Sequence, residues 1–93
     1  MPDIIVKRLV IRGGVQGVGY RYSMLAQATR MGITGWVRNR RDGTVEAVVA
    51  GPVGDLESIV AWARRGPPGS TVTDVAVEDA QGNFRSFEVL VTE

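Results

Sequence analysis

Apolar and charged residues alternate from Ile4 to Arg12, with Leu9 and Ile11 on one face and Val6, Val10, Arg8 and Arg12 on the other. A period of two predicts a half-buried strand. The period then lengthens. Met24, Leu25, Ala28 and Met31 recur at helical spacing, predicting a helix over Tyr22 to Met31 that stops at Gly32. Alternation returns from Thr34 to Arg40, where Gly35, Val37 and Asn39 share one face and Trp36, Arg38 and Arg40 the other. Asp42-Gly43 is a hairpin turn, and a third strand follows from Thr44 to Ala50 with Val45, Ala47 and Val49 inward. Leu56, Ile59, Val60 and Ala63 give a second helix, with Asp55 expected as its N-cap and Gly66-Pro67-Pro68-Gly69 as its stop. Val72 to Glu78 is a fourth strand. Ser86 to Val91 is a last one, with Phe87, Val89 and Val91 expected on its inner face.

The order β-α-β-β-α-β plus a C-terminal strand is the α+β, ferredoxin-like split β-α-β plan: one antiparallel sheet with both helices on one face. All 93 residues are expected to form one domain. The helix-free face is expected to be solvated, with Arg8, Arg12, Arg38, Arg40, Glu46 and Glu88 along it.

Charge and composition narrow the chemistry. A net charge of +1 gives no global field to attract nucleic acid or a membrane surface. Cys and His are absent, which removes disulfides, thiolate nucleophiles, imidazole acid–base catalysis and most zinc sites. The carboxylates are scattered, with no hard-metal cage, so no metal or cofactor is expected. Lys7 and Arg8 interrupt the apolar N-terminal run, so a cytoplasmic protein is expected, and the charged open face points to a monomer.

Between the first strand and the first helix lies Gly13-Gly14-Val15-Gln16-Gly17-Val18-Gly19-Tyr20-Arg21. A glycine-rich turn at a helix start converges backbone N–H groups and adds the partial positive charge of the helix end. Arg21 adds an always-charged fork, and the sum is a site for a small tetrahedral anion such as phosphate. The spacing matches neither a Walker loop nor a dinucleotide fingerprint. Asn39 is a second unusual residue, a polar amide on the face expected to lie under the helices, at the end of its strand. If the second strand lay near the first, Asn39 would approach the loop.

The two elements together, with Gly35-Trp36-Val37-Arg38-Asn39 and Asp42-Gly43-Thr44-Val45-Glu46, closely resemble the acylphosphatase family. The resemblance covers nearly the whole chain, including Trp62, Gly66-Pro67-Pro68 and Phe87. Gly14 and Tyr20 depart from the commoner family residues. The resemblance implies hydrolysis of a small-molecule acyl phosphate to a carboxylate and inorganic phosphate, without a cofactor. It implies that Arg21 binds the phosphoryl group and that Asn39 orients the attacking water. The N–H groups of Val15, Gln16, Gly17, Val18, Gly19 and Tyr20 would complete the phosphate cradle. A non-catalytic phosphate-sensing module of the same fold is the alternative. Nucleic-acid binding is disfavoured, because the sheet lacks the exposed aromatic pair on which RNA-binding sheets stack bases.

Overall fold

A computed structural model describes residues 3–93 of the chain. The elements run β1 (Ile5–Gly14), α1 (Tyr20–Met31), β2 (Thr34–Asn39), β3 (Val45–Gly51), α2 (Val53–Arg65), β4 (Thr71–Asp79) and β5 (Phe87–Val89). The strands form one sheet in the order β4-β1-β3-β2-β5. β1 pairs antiparallel with β3 and β4, and β2 antiparallel with β3. In each βαβ unit a strand of the other unit is inserted between its two parallel strands, which is the split β-α-β plan. The C-terminal strand departs from the expected antiparallel pattern, since β5 runs parallel to β2.

The core follows the alternation. Leu9 and Ile11 of β1, Val37 of β2 and Val45, Ala47 and Val49 of β3 are fully buried. They share one core with Met24 and Ala28 of α1 and Leu56, Ile59, Trp62 and Ala63 of α2. Each large apolar side chain buried this way contributes about 1.5–3 kcal/mol, so a one-residue register slip, which would turn every one of them outward, is strongly disfavoured. Gly35 lets β2 approach β3 closely. Its φ is +134°, and a Cβ there would stand 1.9 Å from the Val48 carbonyl oxygen, so no other residue fits.

Several boundaries differ from expectation. β1 continues through Gly13 and Gly14, which pair with Val72 and Thr71 after a bulge at Arg12/Gly13. These two glycines therefore belong to the sheet and not to the turn. α1 begins at Tyr20, two residues early, because Gly19 takes the left-handed N-cap conformation and Tyr20 is locked into the core. The Tyr20 ring packs on Trp62 with centroids 5.3 Å apart, and its hydroxyl donates to the Ala63 carbonyl at 2.7 Å. Gly32 does end α1, in a left-handed conformation, with the Ile33 N–H donating to the Ala28 carbonyl. Asp55 is not the N-cap of α2. Pro52 holds that position without a side-chain cap, and Asp55 lies in the first turn, where its charge complements the helix dipole. Val91 is 83% exposed and not inward, because β5 is a short edge strand that ends at Val89.

The helix-free face also departs from the expected solvated surface. Glu46 is buried there, 4% exposed. It lies on central β3 and pairs in register with Arg38 of β2 and Val10 of β1, so long side chains from both neighbouring strands cover it. Arg8 donates to it at 2.6 Å, Arg38 at 2.8 Å and Arg40 at 3.0 Å. Arg38 also stacks on Trp36, 4.9 Å from the ring centroid. Burial pushes the Glu46 carboxyl up, but the hydrogen bonds from Arg8, Arg38 and Arg40 outweigh it and hold its pKa below the ordinary value. A carboxyl whose pKa is lower folded than unfolded contributes stability that is fully present above its unfolded pKa and is lost as pH falls through its folded pKa. Glu46→Gln is therefore expected to cost about 1–2 kcal/mol near neutral pH, below the full cost of breaking a fully buried pair because the arginines reach water. The loss should shrink in strong acid, and urea unfolding of both proteins at neutral and acidic pH checks it.

Candidate functional site

The loop between β1 and α1 is shaped by two glycines. Gly17 and Gly19 both have φ of +77°, and no other residue type takes positive φ among the described residues. Val15 at the loop's start is buried, 1% exposed, and Tyr20 at its end is anchored in the core, so the loop is fixed at both ends while Gly17 and Gly19 stay at the surface. The first helical bond of α1 runs from the Ser23 N–H to the Gly19 carbonyl at 3.0 Å. Neither a carbonyl nor a side chain accepts from the N–H groups of Gln16 to Tyr22 among the described residues, and the N-cap makes no side-chain bond. The first turn of α1 carries no acidic residue. A run of free N–H donors at an uncapped helix start is a positively polarised cradle for an anion.

Arg21 stands in that first turn and is half-buried. No ion pair of the described residues involves it. The arginine side chains that do make hydrogen bonds are Arg8, Arg38 and Arg40. The Arg21 guanidinium lies over the Tyr22 ring, 5.7 Å from its centroid. The fork is thus uncommitted within the protein.

Asn39 ends β2, on the face it shares with buried Gly35 and Val37. β2 lies near β1, with β3 alone between them. The register brings Asn39 to the loop's end of the sheet: Asn39 pairs with Val45, and Val45 pairs with Ile11. The Asn39 Oδ1 is buried and has no donor among the described residues. A buried acceptor left unpaired costs about 1–3 kcal/mol, which a bound water or substrate donor would recover.

Sequence reasoning missed what joins these parts. The Gln16 side-chain amide donates to the Arg40 carbonyl at 2.7 Å and to the Thr44 carbonyl at 2.9 Å, so the loop is tied to the hairpin that follows Asn39. The partners are 24 and 28 positions away, and nothing local in the sequence signals the bond. The hairpin is held by its own residues too. Asp42 Oδ1 accepts from the Thr44 N–H at 3.0 Å and from its hydroxyl at 2.6 Å, which holds the Asp42 carboxyl below its usual range. The Glu93 N–H donates to the Asn39 carbonyl at 3.1 Å, so the C-terminal segment braces β2 at the same point.

The apolar hollow of about 400 Å³ lined by Ile5, Val53, Leu56, Val60 and Val77 contains none of the loop residues. No group of three or more potential metal ligands occurs among the described residues. No helix is long and apolar enough to cross a membrane.

These features define a class: a split β-α-β sandwich with an anion cradle where its first strand meets its first helix. The acylphosphatase family model matches residues 7–89. An acylphosphatase of Acaryochloris marina is 48% identical over 91 residues, covering 97% of this chain and 98% of that protein. One of Pyrobaculum arsenaticum is 54% identical over 87 residues, covering 90% and 92%. The solved structure of an acylphosphatase from Coxiella burnetii superimposes with a TM-score of 0.91 at 30% identity, over 95% of this chain and 94% of that one. The chain belongs to the acylphosphatase family.

Proposed function

We propose that this chain hydrolyses acyl phosphates, with Arg21 and the loop N–H groups binding the phosphoryl group and Asn39 orienting the attacking water. The observation that carries the residue roles is the run of unpaired N–H donors that ends in the first turn of α1, where Arg21 stands with no ion pair among the described residues, at the same end of the sheet as the unpaired buried oxygen of Asn39. Family membership supports the reaction itself.

The chemistry suits these groups. Water attacks phosphorus, the bond from phosphorus to the bridging oxygen breaks, and the electron pair leaves with the carboxylate. A carboxylate departs without a general acid. The loose transition state needs mainly positioning and stabilisation of charge on the phosphoryl oxygens. The Arg21 fork and the N–H cradle supply that stabilisation. Asn39 Oδ1 accepts a proton of the attacking water in a hydrogen bond and so aims its lone pair.

The water's proton passes to a phosphoryl oxygen of the substrate, because the protein offers no base there. His and Cys are absent. Burial pushes the Tyr20 pKa far above its ordinary value, so it stays neutral, and its hydroxyl is committed to the Ala63 carbonyl. Asp42 and Glu46 are held in the hydrogen bonds described above. The Arg21 fork and the loop N–H groups grip the phosphate end, which favours loose selectivity for the acyl group.

Benzoyl phosphate hydrolysis in the presence of a chelator tests the reading. We expect full turnover under chelation and no protein base ionising near neutrality in the pH–rate profile. A folded protein without turnover would move the assignment to a phosphate-binding module, and turnover abolished by the chelator would overturn the metal-independent mechanism.

A further inference from the structure

We infer that the Gln16 side chain is a positioning residue that sets Asn39, and the water it holds, at the correct distance from the phosphate cradle. The inference rests on the reading of Asn39 as the water-orienting residue.

The two halves of the site come from strands that do not touch. The cradle follows β1 and Asn39 ends β2, with β3 between them. The Gln16 amide bridges them directly. Its two donors reach the carbonyls of Arg40 and Thr44, which also close the hairpin: the Arg40 N–H donates to the Thr44 carbonyl at 2.9 Å, and the Gly43 N–H donates to the Arg40 carbonyl at 3.1 Å. Each carbonyl has two lone pairs, so turn and strap together satisfy both. Among uncharged side chains of this reach, only a primary amide offers two protons on one nitrogen. Arg40 directly follows Asn39, so the strap acts one residue from the water-holding group.

Gln16 therefore serves the reaction through alignment, while its own N–H remains in the cradle. Misplacement of reacting groups by about 1 Å costs up to about 10²-fold in rate, whereas binding of phosphate alone needs only the cradle. Loss of the strap should lower kcat and leave phosphate affinity in place.

The test is benzoyl phosphate kinetics and competitive inhibition by inorganic phosphate for the full chain, Gln16→Met, Asn39→Ala and the double variant. Methionine keeps the length of the side chain and removes both donors. We expect Gln16→Met to lower kcat at least about tenfold with little change in phosphate inhibition. On the Asn39→Ala background the same change should add almost nothing, since a residue acting through Asn39 has no further effect once Asn39 is gone. A purely structural role would give independent, multiplicative losses, and that result overturns the inference, as does wild-type kcat in Gln16→Met. If circular dichroism shows Gln16→Met unfolded, Gln16→Asn decides the matter. It keeps the amide one methylene short of both carbonyls, and wild-type kcat in it overturns the proposal. Wild-type turnover and the Asn39→Ala loss report on the underlying reading separately from Gln16. An inactive wild type would defeat that reading, whereas an active wild type with an indifferent Gln16 would defeat only the strap.

Discussion

Replacing Arg21 with alanine is expected to lower kcat/KM for benzoyl phosphate by at least ~10²–10³-fold, the scale of removing one preorganised donor to a developing negative charge. The fold should survive the change. Arg21 makes no ion pair among the described residues, and the arginines that brace the sheet through Glu46 are Arg8, Arg38 and Arg40. A thermal melt close to wild type with collapsed turnover would separate a binding role from a structural one. Lysine should rescue little at this position, because a point charge on a flexible stem cannot present two parallel donors to two phosphoryl oxygens. Inorganic phosphate should also inhibit Arg21→Ala far more weakly than wild type. Near-normal turnover and inhibition in the alanine variant would remove Arg21 from the phosphate site.

Asn39→Ala should have a similar effect on turnover, about 10²-fold or more, but through a different parameter. Here kcat falls while KM and phosphate inhibition stay close to wild type, since the cradle and Arg21 are intact. Stability provides a second signature. The Asn39 Oδ1 is buried without a partner among the described residues, so deleting it removes an unsatisfied acceptor. The variant should therefore be as stable as wild type or more so, the pattern of a polar group retained for activity at some cost to the fold. Equal losses in turnover and phosphate binding would mean that Asn39 binds substrate and does not position water. Urea unfolding alongside steady-state kinetics reads both effects on one sample.

The two variants fail differently because the site has two parts of different origin. The cradle is local: a strand, a short glycine-rich turn and the start of a helix, all within residues 13–21. Its glycines, its arginine and the helix that follows were legible along the chain, since positive φ and helix starts depend on near neighbours. Two details were not. Gly13 and Gly14 belong to the sheet because Val72 and Thr71, far along the chain, supply their pairing. Tyr20 and Arg21 are helical because the Tyr20 ring and hydroxyl are held by Trp62 and Ala63 of the other helix.

Asn39 was legible only as an anomaly, a polar residue on a face that Gly35 and Val37 mark as buried. Its link to the cradle was conditional on the second strand lying near the first, and it comes from register across β3 and from the Gln16 strap. Glu46 illustrates the same limit. Alternation put it on the helix-free face, and solvent exposure was the natural expectation there. Its central strand and the arginines on either side bury it instead.

By itself the sequence determined the order and type of the elements, the inward faces of the first three strands, the glycine turn with its arginine and the family resemblance. Periodicity, turn chemistry and helix starts are all set within a few residues. Tertiary structure alone decided that β5 runs parallel, that a buried glutamate gathers three arginines and that Gln16 joins the cradle to the Asn39 hairpin. Those features depend on groups many residues apart meeting in space, and the closing of the sheet brings them together.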